Sequence, residues 1–364
     1  MNCRRPLKCH QQSIIIFGMS AHRFRVREIA QQAGLSEATV DRVLHGRGGV
    51  RPSTVAEVNQ AIEDLSRQQT QLRLNGRTFL IDVVVDSPSR FSAEVQQALE
   101  EVLPGLHPAV IRSRFHFTDS VPVAEQVKTL DAIAKRGSHG VILKAPDAPA
   151  MNAAVERLID ARIPVITLVT DLPASHRQAY VGLDNRSAGS TAAYLVDRWM
   201  GDVAGSVLVT RGDSSFRGED EREMGFRSTL RTIAPERRVV ELLNPATDDR
   251  VRHLMVTEAL ISHPDVVGVY AMYAFGADRV MVEAFAAVGR ACRVVIAHDL
   301  TKDNLTLLDE GRLSAILHHD LREDLRRACR MILQVQGALP GRPRTAFSAI
   351  QVITPFNVPL HSME

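Results

Sequence analysis

From Phe79 onward, short apolar runs alternate with longer stretches in which apolar residues return every three or four positions. The runs read as buried strands and the longer stretches as amphipathic helices. Strands are expected over residues 79–85, 110–117, 140–143, 165–169, 179–183, 206–210, 239–243, 266–270, 293–297 and 313–317. Helices are expected over 93–103, 125–135, 150–160, 187–200, 222–233, 250–261 and 321–335. This alternation builds an α/β architecture of parallel sheets wrapped by helices. So many strands divide into two doubly wound lobes rather than one sheet.

Before Phe79 the pattern is wholly helical. Residues 26–44 read as a helix, a tight turn and a second helix. Ala30 stands where the two helices cross and only a small side chain fits. Gly34 supplies the turn, where a positive φ costs little without a Cβ. Ser36 is a natural N-cap, and Val40 and Val43 face inward at helical spacing. Glu37, Ala38, Thr39, Asp41 and Arg42 remain at the front of the second helix, the part of such a unit that meets base edges in the DNA major groove. A third helix opens at Pro52 and carries Val55, Val58, Ile62 and Leu65 in register. The glycine-rich loop 45–51 holds Arg47 and Arg51, which either lie against phosphates or stay solvated. Residues 66–77 are polar and break the periodicity, which reads as a linker.

Composition adds a polarity to this layout. The 364 residues suit two or three domains, and 45% hydrophobic with only 5% aromatic content implies an aliphatic core. The net charge of +2 conceals an asymmetry, because residues 1–77 carry 12 Lys and Arg against 6 Asp and Glu. A basic head on a slightly acidic body suits a polyanion-binding domain joined to a part that need not bind DNA. Four cysteines make no disulfide framework. Cys292 and Cys329 sit in apolar periodic segments, and a reducing cytoplasm is expected. The leader, residues 1–22, holds Cys3, Cys9 and a short apolar run that imitates a signal peptide. That run is too short, so the leader is expected to be disordered or to precede a true start at Met19. No stretch approaches a membrane span.

Residues 26–44, Arg51-Pro52 and the helix over 55–65 resemble the headpiece of the lactose-repressor (LacI) family. The body resembles the periplasmic sugar-binding fold that this family joins to it, the ribose-binding type in particular. The motifs are Ile163-Pro-Val-Ile-Thr-Leu168, Val181-Gly-Leu-Asp-Asn-Arg-Ser-Ala-Gly189, Arg222-Glu-Met-Gly-Phe226, Asn244-Pro-Ala-Thr247, Val295-Ile-Ala-His-Asp299 and Glu310-Gly-Arg-Leu313. Each is weak alone; their order and spacing are specific. The resemblance implies a helix-turn-helix headpiece at 23–66, a hinge linker at 67–78 and a two-lobed effector-binding and dimerisation domain at 79–364. It further implies a cytoplasmic homodimer or tetramer, a pseudo-palindromic DNA operator, a small carbohydrate-like effector, no membrane and no cofactor.

At the DNA end, the resemblance assigns base reading to Glu37 and Ala38, the residues after Ser36. Glu37 would accept from cytosine N4 and Ala38 would touch a thymine methyl. Arg42 would reach guanine or a phosphate, and Thr39 a phosphate. Asp41 replaces a residue that is commonly Ser in the family, and is expected to pair with Arg42 or Arg47 or to face a cytosine. The family's minor-groove leucine has two counterparts here, Leu72 and Leu74, in a shortened hinge. A plain polar linker is the alternative.

At the effector end, ligands of open α/β folds sit beyond the carboxyl ends of the strands. Following the family, Arg90 and Phe91 come after the first strand, Lys144 and Asp147 after the third, and Thr170 and Asp171 after the next. Arg222 stands at the position of a ligand-binding arginine and Asp299 at that of a ligand aspartate. Tyr273 replaces a frequent Asn, His318 a frequent Gln, and Asp248 an aromatic. Carboxylates and arginines grip vicinal hydroxyls through charge-assisted hydrogen bonds. The extra charges suit a sugar acid, sugar phosphate or cyclitol, while for Lys144, Asp171, Asp248 and His318 a surface or interlobe ion pair is the competing reading.

His298, Asp299, His318, His319 and Asp320 invite a metal or acid–base reading, but adjacent side chains on a strand diverge. No nucleophile elbow, phosphate loop or His-Glu-x-x-His helix occurs, so catalysis is not expected. Asp184, Asn185 and Gly189 read as a turn and cap opening a helix. The leading expectation is a ligand-responsive transcription factor, a repressor. The competing class is a sugar-binding transport component, which would need an export signal and no headpiece.

Overall fold

The periodicity of residues 26–44 becomes two eight-residue helices in the computed structural model, which describes residues 24–74, 76–212, 216–243, 248–272 and 277–359. The expectations for the leader and for Tyr273 lie outside these residues, as do Cys3, Cys9 and the 244–247 motif. The chain divides into two units, Met1–Arg73 and Leu74–Glu364.

In the first unit, α1 (Val26–Ala33) ends at Gly34 with φ of 68°, whose N–H returns to the Ala30 carbonyl. Helix α2 (Glu37–Leu44) opens on Ser36, whose hydroxyl accepts from the Thr39 N–H at 3.2 Å. Ile29, Ala30 and Val40 are buried against Val58 and Ala61 of α3 (Pro52–Leu74). Val55 points outward instead, at 36% exposure. The expected linker at 66–77 is mostly helix, because α3 continues to Leu74. The stretch 66–74 contains no Gly or Pro to stop it, and a helix without a buried stripe shows no apolar period.

The second unit contains two six-stranded sheets. The strands of lobe 1 are β1 (Thr78–Asp86), β2 (Val110–Thr118), β3 (Gly140–Lys144), β4 (Val165–Leu168), β5 (Ala179–Leu183) and β11 (Ala346–Ser348), in the order β11-β5-β4-β3-β1-β2. The strands of lobe 2 are β6 (Ser206–Arg211), β7 (Val239–Leu243), β8 (Val266–Ala271), β9 (Val294–His298), β10 (Ala315–His318) and β12 (Gln351–Ile353), in the order β12-β10-β9-β8-β6-β7. All pairs are parallel except β10 with β12. Helices α4 (Ser89–Val102), α5 (Val123–Arg136), α6 (Pro149–Asp160) and α12 (Leu321–Val335) cover the first sheet. Helices α7 (Asn185–Met200), α8 (Arg217–Ile233), α9 (Asp249–Ser262), α10 (Ala277–Ala287) and α11 (Lys302–Asp309) cover the second. Central strands are Val/Ile-rich because both faces are buried, as in β3, where every residue is buried.

The chain passes between lobes three times: after β5 at Asp184, after β10 at His319-Asp320, and between β11 and β12. Two short edge strands and helices α10 and α11 were not legible as elements. Helices α4 and α8 begin four or five residues earlier than their apolar pattern, so Arg90 and Phe91 lie on a helix rather than a loop. Cys329 is buried and Cys292 half-buried, both as free thiols. Among the described residues, no helix is long and apolar enough to cross a membrane.

Candidate DNA interface and ligand cleft

The locked crossing of α1 and α2 leaves one face of α2 open. Ser36, Glu37, Ala38 and Arg42 are exposed and Thr39 is half-exposed. Ala38 and Arg42 are one turn apart and share that face. Thr39 shares its hydroxyl with Ser36 at 2.8 Å, which fixes the start of the helix. Of the partners expected for Asp41, the structure selects Arg47, at 2.9 Å, with His45 at 3.0 Å on the other oxygen. Arg51 is exposed in the loop before α3. Leu72 is 77% exposed, whereas Leu74 is 2% exposed and packs on Phe79, Ala109 and Leu333. Leu74 is therefore a core residue of the second unit in this structure and not a groove wedge; the physical reason is that it belongs to the apolar patch beneath β1.

In the second unit the strand ends meet across a closed cleft. Thr170, beyond β4, accepts the Gly218 N–H of α8 at 3.1 Å. Arg90 of α4 pairs with Asp303 of α11 at 2.7 Å, and Asp147 approaches Arg217 at 3.6 Å. Lys144, Thr170 and Arg222 line one small cavity of about 20 Å3 together with Asn185, Phe216 and Glu219.

Lys144 lines this cavity from the end of β3. Its ammonium donates to the Asp86 carbonyl at 2.8 Å and lies 3.8 Å over the Phe216 ring and 5.6 Å from that of Phe91. The two rings come from opposite lobes, so the cation is attracted to both faces of the cleft. Burial lowers the Lys144 pKa to about 8, and the Glu219 carboxylate resists that fall.

Arg222 is 4% exposed. Its Nε donates to Asn185 at 2.8 Å and its Nη1 to the Met272 carbonyl at 2.7 Å. Asn185 in turn donates to the Val169 carbonyl, which also receives the Tyr180 hydroxyl. Val169 has φ of 66°, costly for a β-branched residue, and these two donors hold its carbonyl in place. The arginine is set by a close helix crossing: a Cβ on Gly189 of α7 would lie 1.9 Å from the Arg222 carbonyl oxygen. Asp299 also has a left-handed φ of 66°, and its carbonyl accepts from Asn304. Burial, reinforced by the Asp299 charge, raises the Glu94 carboxyl to about 7.

Residues 81–338 match the family of periplasmic binding protein domains, and residues 25–66 match the bacterial regulatory proteins of the lacI family. The chain belongs to the periplasmic binding protein domain family and carries a LacI-type helix-turn-helix unit. It is 27% identical over 198 residues to the ribose import binding protein of Escherichia coli (strain K12), spanning 53% of this chain and 64% of that protein, less than two thirds of its length. It is 25% identical over 254 residues to the ribose operon repressor of Halalkalibacterium halodurans, spanning 68% of this chain and 70% of that one. The structure of GanP, a glucose-galactose binding protein from Geobacillus stearothermophilus, superposes with a TM-score of 0.68 at 20% identity, covering 78% of this chain and 100% of that one, which shows the shared fold.

Within the second unit, several expected effector residues bond to neighbouring protein groups. Asp171 is held by both nitrogens of the Arg177 fork at 2.5 Å and by the Thr167 hydroxyl, so it closes its own loop. Asp248 is the N-cap of α9, accepting from the Arg250 and Val251 N–H groups. Asp147 accepts from Asn152 at 3.2 Å, within its own lobe. His318 is half-buried at the end of β10. His298 bonds the Tyr270 hydroxyl at 2.8 Å, and burial holds its pKa well below the usual histidine value. Asp184 caps α7 through the Ser187 N–H, as expected. Gly189 serves the helix crossing rather than a turn.

Sequence reasoning missed Phe216, Glu219 and Asn185 as cavity residues. Glu219 and Arg222 are three apart on one helix, and that spacing was the available signal.

Proposed function

We propose that this protein is a cytoplasmic transcriptional repressor whose grip on a pseudo-palindromic operator is set by a small polar metabolite held between the lobes of its second unit. The metabolite is a sugar, sugar acid or cyclitol, and the protein acts as a homodimer without catalysing a reaction. One observation carries this reading: a single chain joins an open reading face on α2 to a two-lobed fold in which Lys144, Thr170 and Arg222 converge. Support comes from the relatives, which include both a ribose operon repressor and ribose import binding proteins.

On DNA, Glu37 and Ala38 read base edges, Arg42 reaches guanine or a phosphate, and Ser36, Thr39, Arg47 and Arg51 position the unit on the backbone. Leu72 is the remaining candidate for a minor-groove wedge. In the cleft, Arg222 and Asp299 grip hydroxyls, Phe91 and Phe216 cover a C–H face, and Lys144 moves aside or pairs with an acid group of the ligand. A thermal-shift screen of sugars, sugar acids and cyclitols on wild type, Arg222→Ala and Asp299→Ala tests it. The best hit should stabilise wild type and neither variant; equal shifts in all three would place the site elsewhere.

A further inference from the structure

A second, much larger chamber opens beside the cleft. Its volume is about 700 Å3, within the range that encloses a small metabolite. Three guanidinium groups of lobe 2, from Arg250, Arg252 and Arg279, line it together with His253. Arg90 closes it from lobe 1. Two of these cations are already neutralised, Arg252 by Asp249 and Arg90 by Asp303. Arg250 and Arg279 have no ion-pair partner among the described residues, although Glu283 lies one turn from Arg279 and also lines the wall. Arg250 and Arg279 stand in the first turns of α9 and α10, where a basic residue opposes the helix dipole and so is not placed for helix stability. Both project a planar fork of donors suited to an oxyanion.

The chamber borders the effector cleft electrostatically. Buried Asp278, next to Arg279 in sequence, feels both Arg252 of the chamber and Asp299 of the cleft. Glu94 likewise feels both Arg90 and Asp299. A ligand with a polyhydroxyl body and a doubly charged end would therefore find hydrogen-bonding groups in one compartment and uncommitted guanidinium groups in the next.

We propose that this chamber is a phosphate-binding site, with Arg250 and Arg279 as its principal donors, and that it takes the phosphate of a phosphorylated polyhydroxyl effector. The second half of this statement rests on the ligand reading of the cleft; the first half does not. Neither arginine belongs to the helix-turn-helix unit or to the cavity around Lys144, so both can be changed without touching either.

The test uses the full-length chain and inorganic phosphate, read as the midpoint of a calorimetric or thermal-shift titration against sodium chloride at equal ionic strength. Wild type should be stabilised by phosphate. The Arg250→Gln/Arg279→Gln double variant should need about tenfold more phosphate for the same shift. Arg222→Ala should keep the wild-type phosphate response, which separates failure of the chamber from failure of the cleft. A second arm compares glucose, glucose 6-phosphate and inorganic phosphate. Tighter binding of the ester than of phosphate alone supports a phosphorylated effector spanning both compartments, whereas equal affinities assign the chamber to free phosphate and overturn the effector half. An absent phosphate response in wild type, or one that the double variant shares, overturns the site itself.

Discussion

Asp324 holds His319 at 2.6 Å inside the second passage of the chain between lobes. The side chains are 0% and 4% exposed. The other oxygen of Asp324 accepts the hydroxyl of Ser348, the last residue of β11, beside the third passage. One carboxylate on α12 thus ties down two of the three connections that must bend when the lobes move. Replacing it with alanine leaves the buried His319 ring and the half-buried Ser348 hydroxyl without this partner and should cost about 1–3 kcal/mol of stability. Asp324→Asn, which keeps an acceptor, should cost less. Urea unfolding measures both, and an alanine variant within about 0.5 kcal/mol of wild type would remove the clasp from the account.

Asp278 predicts a pH dependence. It is 1% exposed, and burial raises its carboxyl from 3.8 to about 7; the Asn304 amide opposes the rise, while the Asp299 and Asp303 charges add to it. Between about pH 4 and 7 the folded chain holds a proton that the unfolded chain has lost, so this group makes stability fall as pH rises through that window. Asp278→Asn should gain on the order of 1–3 kcal/mol at pH 8 and little at pH 4. Glu94, also raised to about 7 by burial and Asp299, keeps part of the slope. Denaturation curves at the two pH values decide it; an equal effect of the substitution at both would refute the buried charge.

The α7–α8 crossing predicts a coupled loss. Gly189→Ala sets a Cβ against the Arg222 carbonyl, and Gly225→Ala sets one 2.0 Å from the Arg186 carbonyl. The helices must separate, at a cost of about 1–3 kcal/mol. Arg222 is displaced with them, so Gly189→Ala should lose effector-induced stabilisation as well as melting temperature. A variant that melts lower yet responds normally to effector would show that Arg222 does not depend on this contact.

For the reading head, Arg42→Ala should cost about 1–3 kcal/mol of operator affinity. Glu37→Ala should change the base preferred in each half-site. Gel-shift titration and selection from a randomised duplex library measure these effects. Unchanged affinity in the first case, or an unchanged preferred sequence in the second, removes the residue from the interface.

The alternation of buried runs and amphipathic stretches was enough to read both lobes, because strands such as β3 and β4 are continuous apolar segments. Helices with polar first turns were read short, and that placed Arg90 and Phe91 in a loop instead of on α4. The continuation of α3 was hidden because residues 66–73 are mostly polar and show no apolar period. In the cleft, position after a strand together with the family resemblance pointed to Lys144 and Thr170, and the resemblance alone to Arg222; the three line one cavity. For Asp171 and Asp248 the resemblance left a ligand role and an ion pair equally open, and in the structure one clamps its own loop by pairing with Arg177 while the other caps α9. Those uses depend on which donors fold back locally, as the Arg177 fork does, and spacing from a strand does not reveal them.

The most direct test of the central claim is fluorescence anisotropy of the full-length protein on a duplex selected by it from a random library, at two salt concentrations, with and without the best-stabilising metabolite. The account predicts tighter binding to the selected duplex than to a scrambled one, weakening as salt rises, and a shift in affinity when the metabolite is added that Arg222→Ala abolishes. Equal affinity for the selected and scrambled duplexes in every condition would contradict it.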